Sequence, residues 1–265
     1  MKYKLCIFLL LFNGLFFAKE TPDSLIHRMM VTTGTVSSLG DILDNLQKDV
    51  FRFSENTTTE DSELVKNEVA SVFNIDSLTE RYISNFKAKY SEKNVNEVLE
   101  AYKNPVYIKA TELETRDISD EDIDAYIKNY NPGNYSERRL NLISRLKEAA
   151  RVSDFSYYSL KSTLQVAVTV NNALSGLEEG SGIESMVDMM ITESEAEMDK
   201  FITIFLLQCY EELTDDELEE YVDYYESDLG KWHTEVSMTS YLNTLSQSAD
   251  IFTETFPAKT KSRKI

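Results

Sequence analysis

Apolar residues recur along most of this chain at i, i+3, i+4 and i+7, the spacing that lines one face of an α-helix. Three stretches, residues 90–102, 118–130 and 213–225, repeat that spacing and superpose without a gap. Each places a hydroxyl residue second (Ser91, Ser119, Thr214), where its oxygen can accept from an otherwise orphaned backbone N–H. Acidic residues crowd the first turn of the second and third copies, where the helix dipole favours them, and Thr214 with Glu217 composes a capping box. The apolar positions then coincide: Val95, Val98, Leu99 and Tyr102; Ile123, Tyr126, Ile127 and Tyr130; Leu218, Tyr221, Val222 and Tyr225. Three amphipathic helices follow, each with a tyrosine-ended stripe turned towards a core. Each copy stops at a break, Asn104-Pro105, Asn131-Pro132-Gly133 or Ser227-Asp228, and Pro105 suits the first turn of a further helix.

A second echo sits upstream. Leu25-Ile26-His27-Arg28-Met29 matches Leu142-Ile143-Ser144-Arg145-Leu146, in the same order relative to Tyr102 and Tyr225. This predicts two related units, residues 19–133 and 134–256, each opening with a Leu-Ile-x-Arg helix. Thr21-Pro22-Asp23 starts a long helix running towards Phe53, a polar stretch at 55–61 interrupts it, and helices at 62–73 and 76–89 follow. Residues 184–210 read as one long helix carrying Met186, Val187, Met190, Met198, Phe201, Ile202, Phe205 and Cys209. Residues 155–174, apolar nearly all round, are expected to form a central buried helix, although their Val and Thr content would also suit a strand. Beyond Pro257, residues 257–265 are basic and expected to form a flexible tail. The fold class is all-α: two tandem multi-helix units packed into one elongated array or bundle.

The N-terminus reads differently. Lys2 and Lys4 precede an almost unbroken apolar run over 5–17, and Ala18 offers a small residue before Lys19-Glu20. That is the pattern of a secretory signal peptide over residues 1–18, cleaved near Ala18, with export to the periplasm or beyond as the expected destination. The run is too short to span a bilayer, which takes about 20 apolar residues, and no later stretch is long enough, so no transmembrane segment is expected in the mature chain. With 42% hydrophobic residues and only 8 Gly and 4 Pro in 265, the chain is neither disordered nor collagen-like. Its 46 acidic and 27 basic residues give a net charge of −19, and losing Lys2 and Lys4 takes this to −21. Such a surface repels nucleic acid and anionic lipid, so neither is an expected partner. Cleavage also removes Cys6 and leaves Cys209 alone, which rules out an internal disulfide and puts stability on the core. Cys209 itself lies in an apolar run and reads as a buried, inert thiol.

Tyr224-Tyr225-Glu226-Ser227-Asp228-Leu229-Gly230, with the opening Leu-Ile helix and Thr33-Gly34, carries a further signal. It resembles the signature of an uncharacterised bacterial exported helical family (domain of unknown function 2059): an aromatic pair, a gap, Ser-Pro-x-Gly and a lysine. Asp228 replaces the proline and Trp232 the lysine, while the first unit keeps them as Pro105 and Lys109. The resemblance implies an exported all-helical protein, in two tandem copies, with no assigned activity and no catalytic residues to carry over.

Candidate chemistry is sparse. Residues 117–128 lack the Gly and terminal Glu of a calcium loop. Asp216, Glu220 and Asp223 share one helix face and offer oxygen ligands, but the same spacing describes the solvated side of an acidic helix. Glu193, Glu195, Glu197 and Asp199 are read likewise. His233, beside Trp232 and near Glu235, is the one cluster suited to acid–base work, yet no nucleophile turn accompanies it; both it and His27, on the opening helix, are read as packing or surface histidines. No cofactor or metal ligand set is assigned. Asn56-Thr57-Thr58 and Asn134-Tyr135-Ser136 fit the glycosylation pattern. Tyr224 lies off the core stripe, and with Trp232 and His233 it is expected to form a surface contact.

The expected role is non-enzymatic binding in the bacterial envelope, of a protein or a small apolar ligand, in an apolar groove between the units. A divalent-metal hydrolase using clustered carboxylates and a periplasmic assembly or chaperone-like factor are the alternatives.

Overall fold

The computed structural model describes residues 20–54, 58–175 and 183–263. The expected leader, Cys6 and most of the first glycosylation triplet therefore lie outside the described residues. Among those described there is no strand, and the elements are all helical. No described helix is long and apolar enough to cross a membrane.

The opening helix α1 spans Pro22–Thr32, with Thr21 accepting from the Ser24 N–H and Pro22 in the first turn. It does not run on to Phe53. Thr33 and Gly34 break it, Gly34 adopting φ +75°, and α2 starts afresh at Thr35–Ser54. A left-handed residue cannot continue a right-handed helix, and glycine takes that conformation without a Cβ penalty. Next come α3 (Thr59–Val72), α4 (Ile75–Phe86), α5 (Glu92–Ala101) and α6 (Pro105–Glu114), capped in turn by Thr58, Asn74, Ser91 and Asn104. Short α7 (Asp120–Asn129) and α8 (Glu137–Ala149) begin on Ser119 and Ser136. After them come the long helices α9 (Val152–Ser175) and α10 (Ile183–Cys209), then α11 (Asp215–Glu226) and α12 (Asp228–Arg263).

The caps behave as the sequence predicts. Ser91, Ser119 and Thr214 each accept from the backbone N–H three residues on, and Thr214 and Glu217 close a reciprocal capping box. Residues 155–174 are helical, which settles the strand alternative, because α9 lies between α12, α10 and α2 and uses more than one face. Its burial is less complete than expected: Val166, Ala167 and Val170 are enclosed, whereas Tyr158 is exposed. The interior is one continuous cluster, with Ile26, Met29, Leu78, Tyr82, Phe86, Val95, Leu218, Tyr221, Phe252 and Phe256 essentially inaccessible. Each such side chain contributes about 1.5–3 kcal/mol, and among the described residues Cys209 is a buried free thiol.

Two expectations need correction. Pro257 does not end the chain's order: α12 continues through it to Arg263. Proline removes one backbone donor, but packing on both sides holds the turn. Phe252, Phe256 and Thr260 are buried, the Thr260 hydroxyl donates to the Pro257 carbonyl (2.8 Å), and Lys259 pairs with the nearly inaccessible Glu68 carboxylate of α3. The second of the three repeated helices, α7, does not present its stripe to the core. Ile123, Tyr126 and Tyr130 are half-buried and Ile127 is exposed, because α7 packs chiefly on one neighbour, α10.

The other two copies are arranged alike. Helix α1, with Leu25, Ile26 and Met29 buried, packs on α5; α8, with Leu142, Ile143 and Leu146 buried, packs on α11. The spacing that separates Leu25 from Leu142 also separates Gly34 from Arg151, and these are the positive-φ residues described, at +75° and +56°. Helices α2 and α9 start directly after them.

Candidate functional site

The two arrangements meet at a junction filled with tyrosine. Tyr102 caps α5, Tyr107 lies on α6, Tyr210 follows α10, and Tyr221, Tyr224 and Tyr225 come from α11. Tyr102 and Tyr225, which end equivalent stripes, face each other with hydroxyls 3.4 Å apart. Tyr225 also shares a hydrogen bond with Tyr221 (3.3 Å). From Tyr221 the chain of hydroxyls reaches Glu114 in the last turn of α6, whose Oε1 accepts from Tyr221 (2.8 Å) and Tyr210 (2.5 Å). Edge-to-face ring pairs fill the remaining space: Tyr102 on Tyr224 (5.6 Å, 84°) and Tyr221 on Tyr225 (5.1 Å, 90°).

Further polar links hold the junction from outside. Lys109 reaches Glu217, Arg116 reaches Glu212, and Asn104 donates to Glu220 at 2.6 Å. Buried Arg139 on α8 donates to the carbonyls of Tyr210 and Leu213 and to Asp215, satisfying backbone acceptors left bare where α10 ends.

Burial sets the titration behaviour. It pushes the Glu114 carboxyl above the ordinary 4.5, while the hydroxyls of Tyr210 and Tyr221 pull it back. It drives the phenols of Tyr102, Tyr210 and Tyr221 well above 10, with the nearby Glu114 charge adding to the rise. Tyr225 is raised to about 12. A phenol held in its neutral form can both donate and accept a hydrogen bond, and this row of hydroxyls ties α5, α6, α10 and α11 together.

The three expected surface-contact residues lie elsewhere than predicted. Tyr224 is 6% exposed and His233 5%. Their side chains share a 3.0 Å hydrogen bond through His233 Nδ1, and burial lowers that imidazole's pKa to about 4. Trp232 is partly buried, edge-on to Phe86 at 6.0 Å. The reason is that α11 packs on α6 and α12 as well as on α8, so its buried face extends past the four-residue stripe to Tyr224. His27 is exposed. Sequence pattern gives no cause to single out Glu114 from its neighbour Glu112 on the other side of buried Leu113; only its two phenolic partners, about a hundred residues away, mark it.

The acidic face of α11 is solvated, with its charges engaged. Arg138 bonds Asp216 (2.6 Å) and Glu219, and Arg145 bonds Asp223 (3.1 Å) and Glu226 (2.7 Å). Asp199 on α10 accepts from Lys147, while the side chains of Glu193 and Glu195 are outside the described residues. No group of three or more His, Cys, Asp or Glu among the described residues is placed to hold a metal ion.

At the junction Tyr102, Tyr107, Tyr221, Tyr224 and Tyr225 pack ring against ring. An opening of about 520 Å³ lies over α11, lined by Tyr107 and Tyr224 with Asp216, Glu219, Glu220 and Asp223. A second, of about 500 Å³, lies between α7 and α10 and includes Arg116, Asp122, Tyr126 and Gln208. No protein-family model, curated protein or solved structure matches the chain.

Proposed function

We propose that this is an exported, non-catalytic interaction protein made of two related helical units, and that it presents the acidic opening over α11 to a positively charged partner segment. The observation that carries the reading is how the junction's polar groups are used. Glu114 spends its carboxylate on Tyr210 and Tyr221, and His233 spends Nδ1 on Tyr224, so the groups suited to acid–base work serve as ties between helices. What faces water instead is carboxylate, in a chain of net charge −19, and such a field draws in and orients basic partners.

Three observations favour two related units: the paired packing of α1 on α5 and α8 on α11, the left-handed Gly34 and Arg151 at matching positions, and the meeting of Tyr102 with Tyr225. The resemblance to the uncharacterised exported family belongs to the same proposal, as do cleavage near Ala18 and an extracytoplasmic location. A metal-dependent hydrolase fits less well, because no three carboxylates, histidines or cysteines among the described residues are grouped closely enough to hold one ion.

The test is a titration of the mature chain, from residue 19 onward, with two peptides of equal length, one lysine- and arginine-rich and one uncharged. The basic peptide is expected to bind with an affinity that falls as salt rises, and to bind more weakly to a Glu220→Gln, Asp223→Asn variant. Equal binding of both peptides, or salt-independent binding, overturns the proposed site. In a bacterial host, recovery of the full-length chain with residues 1–18 still attached overturns the export part alone.

A further inference from the structure

One hydrogen bond of the junction joins a phenol to a base. Tyr102, Tyr225 and Tyr221 bond to one another through their hydroxyls, and a phenol accepts a proton poorly. Tyr224 differs, because its hydroxyl lies 3.0 Å from His233 Nδ1. A phenol is far more acidic than the N–H of a neutral imidazole, so the hydroxyl donates and Nδ1 accepts. Burial holds the imidazole pKa at about 4, which keeps the ring neutral and its Nδ1 lone pair available near pH 7.

Position separates this pair from the other phenols that face a base. Tyr210 and Tyr221 donate to the Glu114 carboxylate, but they line neither of the two openings. Tyr224 lines the one over α11, together with Tyr107, and the two rings are 5.1 Å apart. Tyr225 and Tyr102 follow at 5.3 and 5.6 Å, so the Tyr224 ring is the outer part of a continuous aromatic cluster. A phenol gives up an electron readily only when its proton leaves as well, because the oxidised ring is a very strong acid. Such an acid protonates even a weakly basic imidazole.

We propose that Tyr224 and His233 form a redox-active pair, whose co-reactant is a small cationic one-electron oxidant such as a metal complex at the opening over α11. The electron passes from the Tyr224 ring to the oxidant, which is reduced by one electron. The proton passes from Tyr224 Oη to His233 Nδ1, so the O–H bond breaks as an N–H bond forms. A neutral tyrosyl radical and an imidazolium result, and a one-electron reductant reverses both transfers. Asp216, Glu219, Glu220 and Asp223 line the same opening and favour a cation there over an anion. No basic partner segment takes part, so peptide binding and this oxidation stand or fall separately.

The test exposes the protein to a substoichiometric amount of tris(bipyridine)ruthenium(III), generated by a light flash, and follows radical formation by electron paramagnetic resonance of rapidly frozen samples. A tyrosyl radical is expected in the parent. Tyr224→Phe, which keeps the ring and its packing, and His233→Gln, which keeps a polar partner but removes the base, should each form it on the order of 100-fold more slowly. Tyr158→Phe, a change to an exposed tyrosine, should leave the rate as it is. Circular dichroism checks that each variant folds; should His233→Gln not fold, Tyr224→Phe decides. Parent-like radical formation in folded Tyr224→Phe, or loss of the signal in Tyr158→Phe instead, overturns the pair.

Discussion

Gly230 fixes how closely α12 can follow α11. A Cβ there would sit 1.9 Å from the Tyr224 carbonyl oxygen and 2.7 Å from Tyr225 Cα. These are backbone atoms and cannot rotate away. Ser227 makes the corner, its hydroxyl donating to the Tyr224 carbonyl (2.6 Å) and accepting from the Gly230 N–H (3.0 Å). This gives a physical reason for the glycine of the Tyr-Tyr-x-Ser-x-x-Gly stretch: without it the tyrosine pair could not be held against the first turn of α12. Gly230→Ala is therefore expected to lose about 3 kcal/mol in urea unfolding. Gly40→Ala, where a Cβ meets no atom within 4 Å, should hold or gain slightly. If the two variants unfold at the same urea concentration, the corner is not held as described.

At the scale of helices, local signals were readable and neighbour-dependent ones were not. Ser91, Ser119 and Thr214 cap because an N-cap depends on a few adjacent residues. The stripes of α5 and α11 are buried because each has an opening helix to pack on. Helix α7 repeats the same pattern but has no such partner, and nothing within its own sequence reports that lack. Pro257 misleads for a related reason, since its local effect is outweighed by Phe252, Phe256 and Lys259, whose contacts come from distant residues. Tyr224 is enclosed by α6 and α12, which periodicity along α11 cannot reveal. The helix break at Thr33-Gly34 has a clear local cause, and its counterpart at Arg151 supplies a test. Gly34→Ala should cost about 1–2 kcal/mol, from the left-handed backbone and from the methyls of Thr111 and Thr115 at 3.2 and 3.1 Å. Arg151→Gly relieves the same backbone strain and gives up only exposed ion pairs to Asp154 and Glu235, so it should cost nothing measurable. Comparable losses at both sites would mean that the matching φ values reflect no shared break.

For the whole molecule, the junction makes stability depend on pH at both ends. His233 has a folded pKa of about 4 against an ordinary 6.5. A depressed histidine is protonated more readily in the unfolded chain, so its contribution is present above pH 6.5 and lost as pH falls towards 4, on the order of 3 kcal/mol. Glu114 has the opposite sign, its raised pKa favouring the fold at low pH and less so as pH climbs past 4.5. The His233 limb is therefore read as the difference between the parent and His233→Phe, whose stability gap should narrow on acidification. The alkaline limb belongs to the phenols. Those of Tyr102, Tyr210, Tyr221 and Tyr225 are raised by burial, so their contribution is intact below pH 10 and lost as pH rises through the folded values. Because Tyr102, Tyr221 and Tyr225 are hydrogen-bonded in one row that ends on Glu114, ionising one places a charge beside the next, and the junction should fail as a unit. Tyrosinate absorbance from this cluster is then expected to grow in the same transition that removes the helical circular dichroism. Phenols that ionise one after another while the helices stay intact would show that the row does not hold α5, α6 and α11 together.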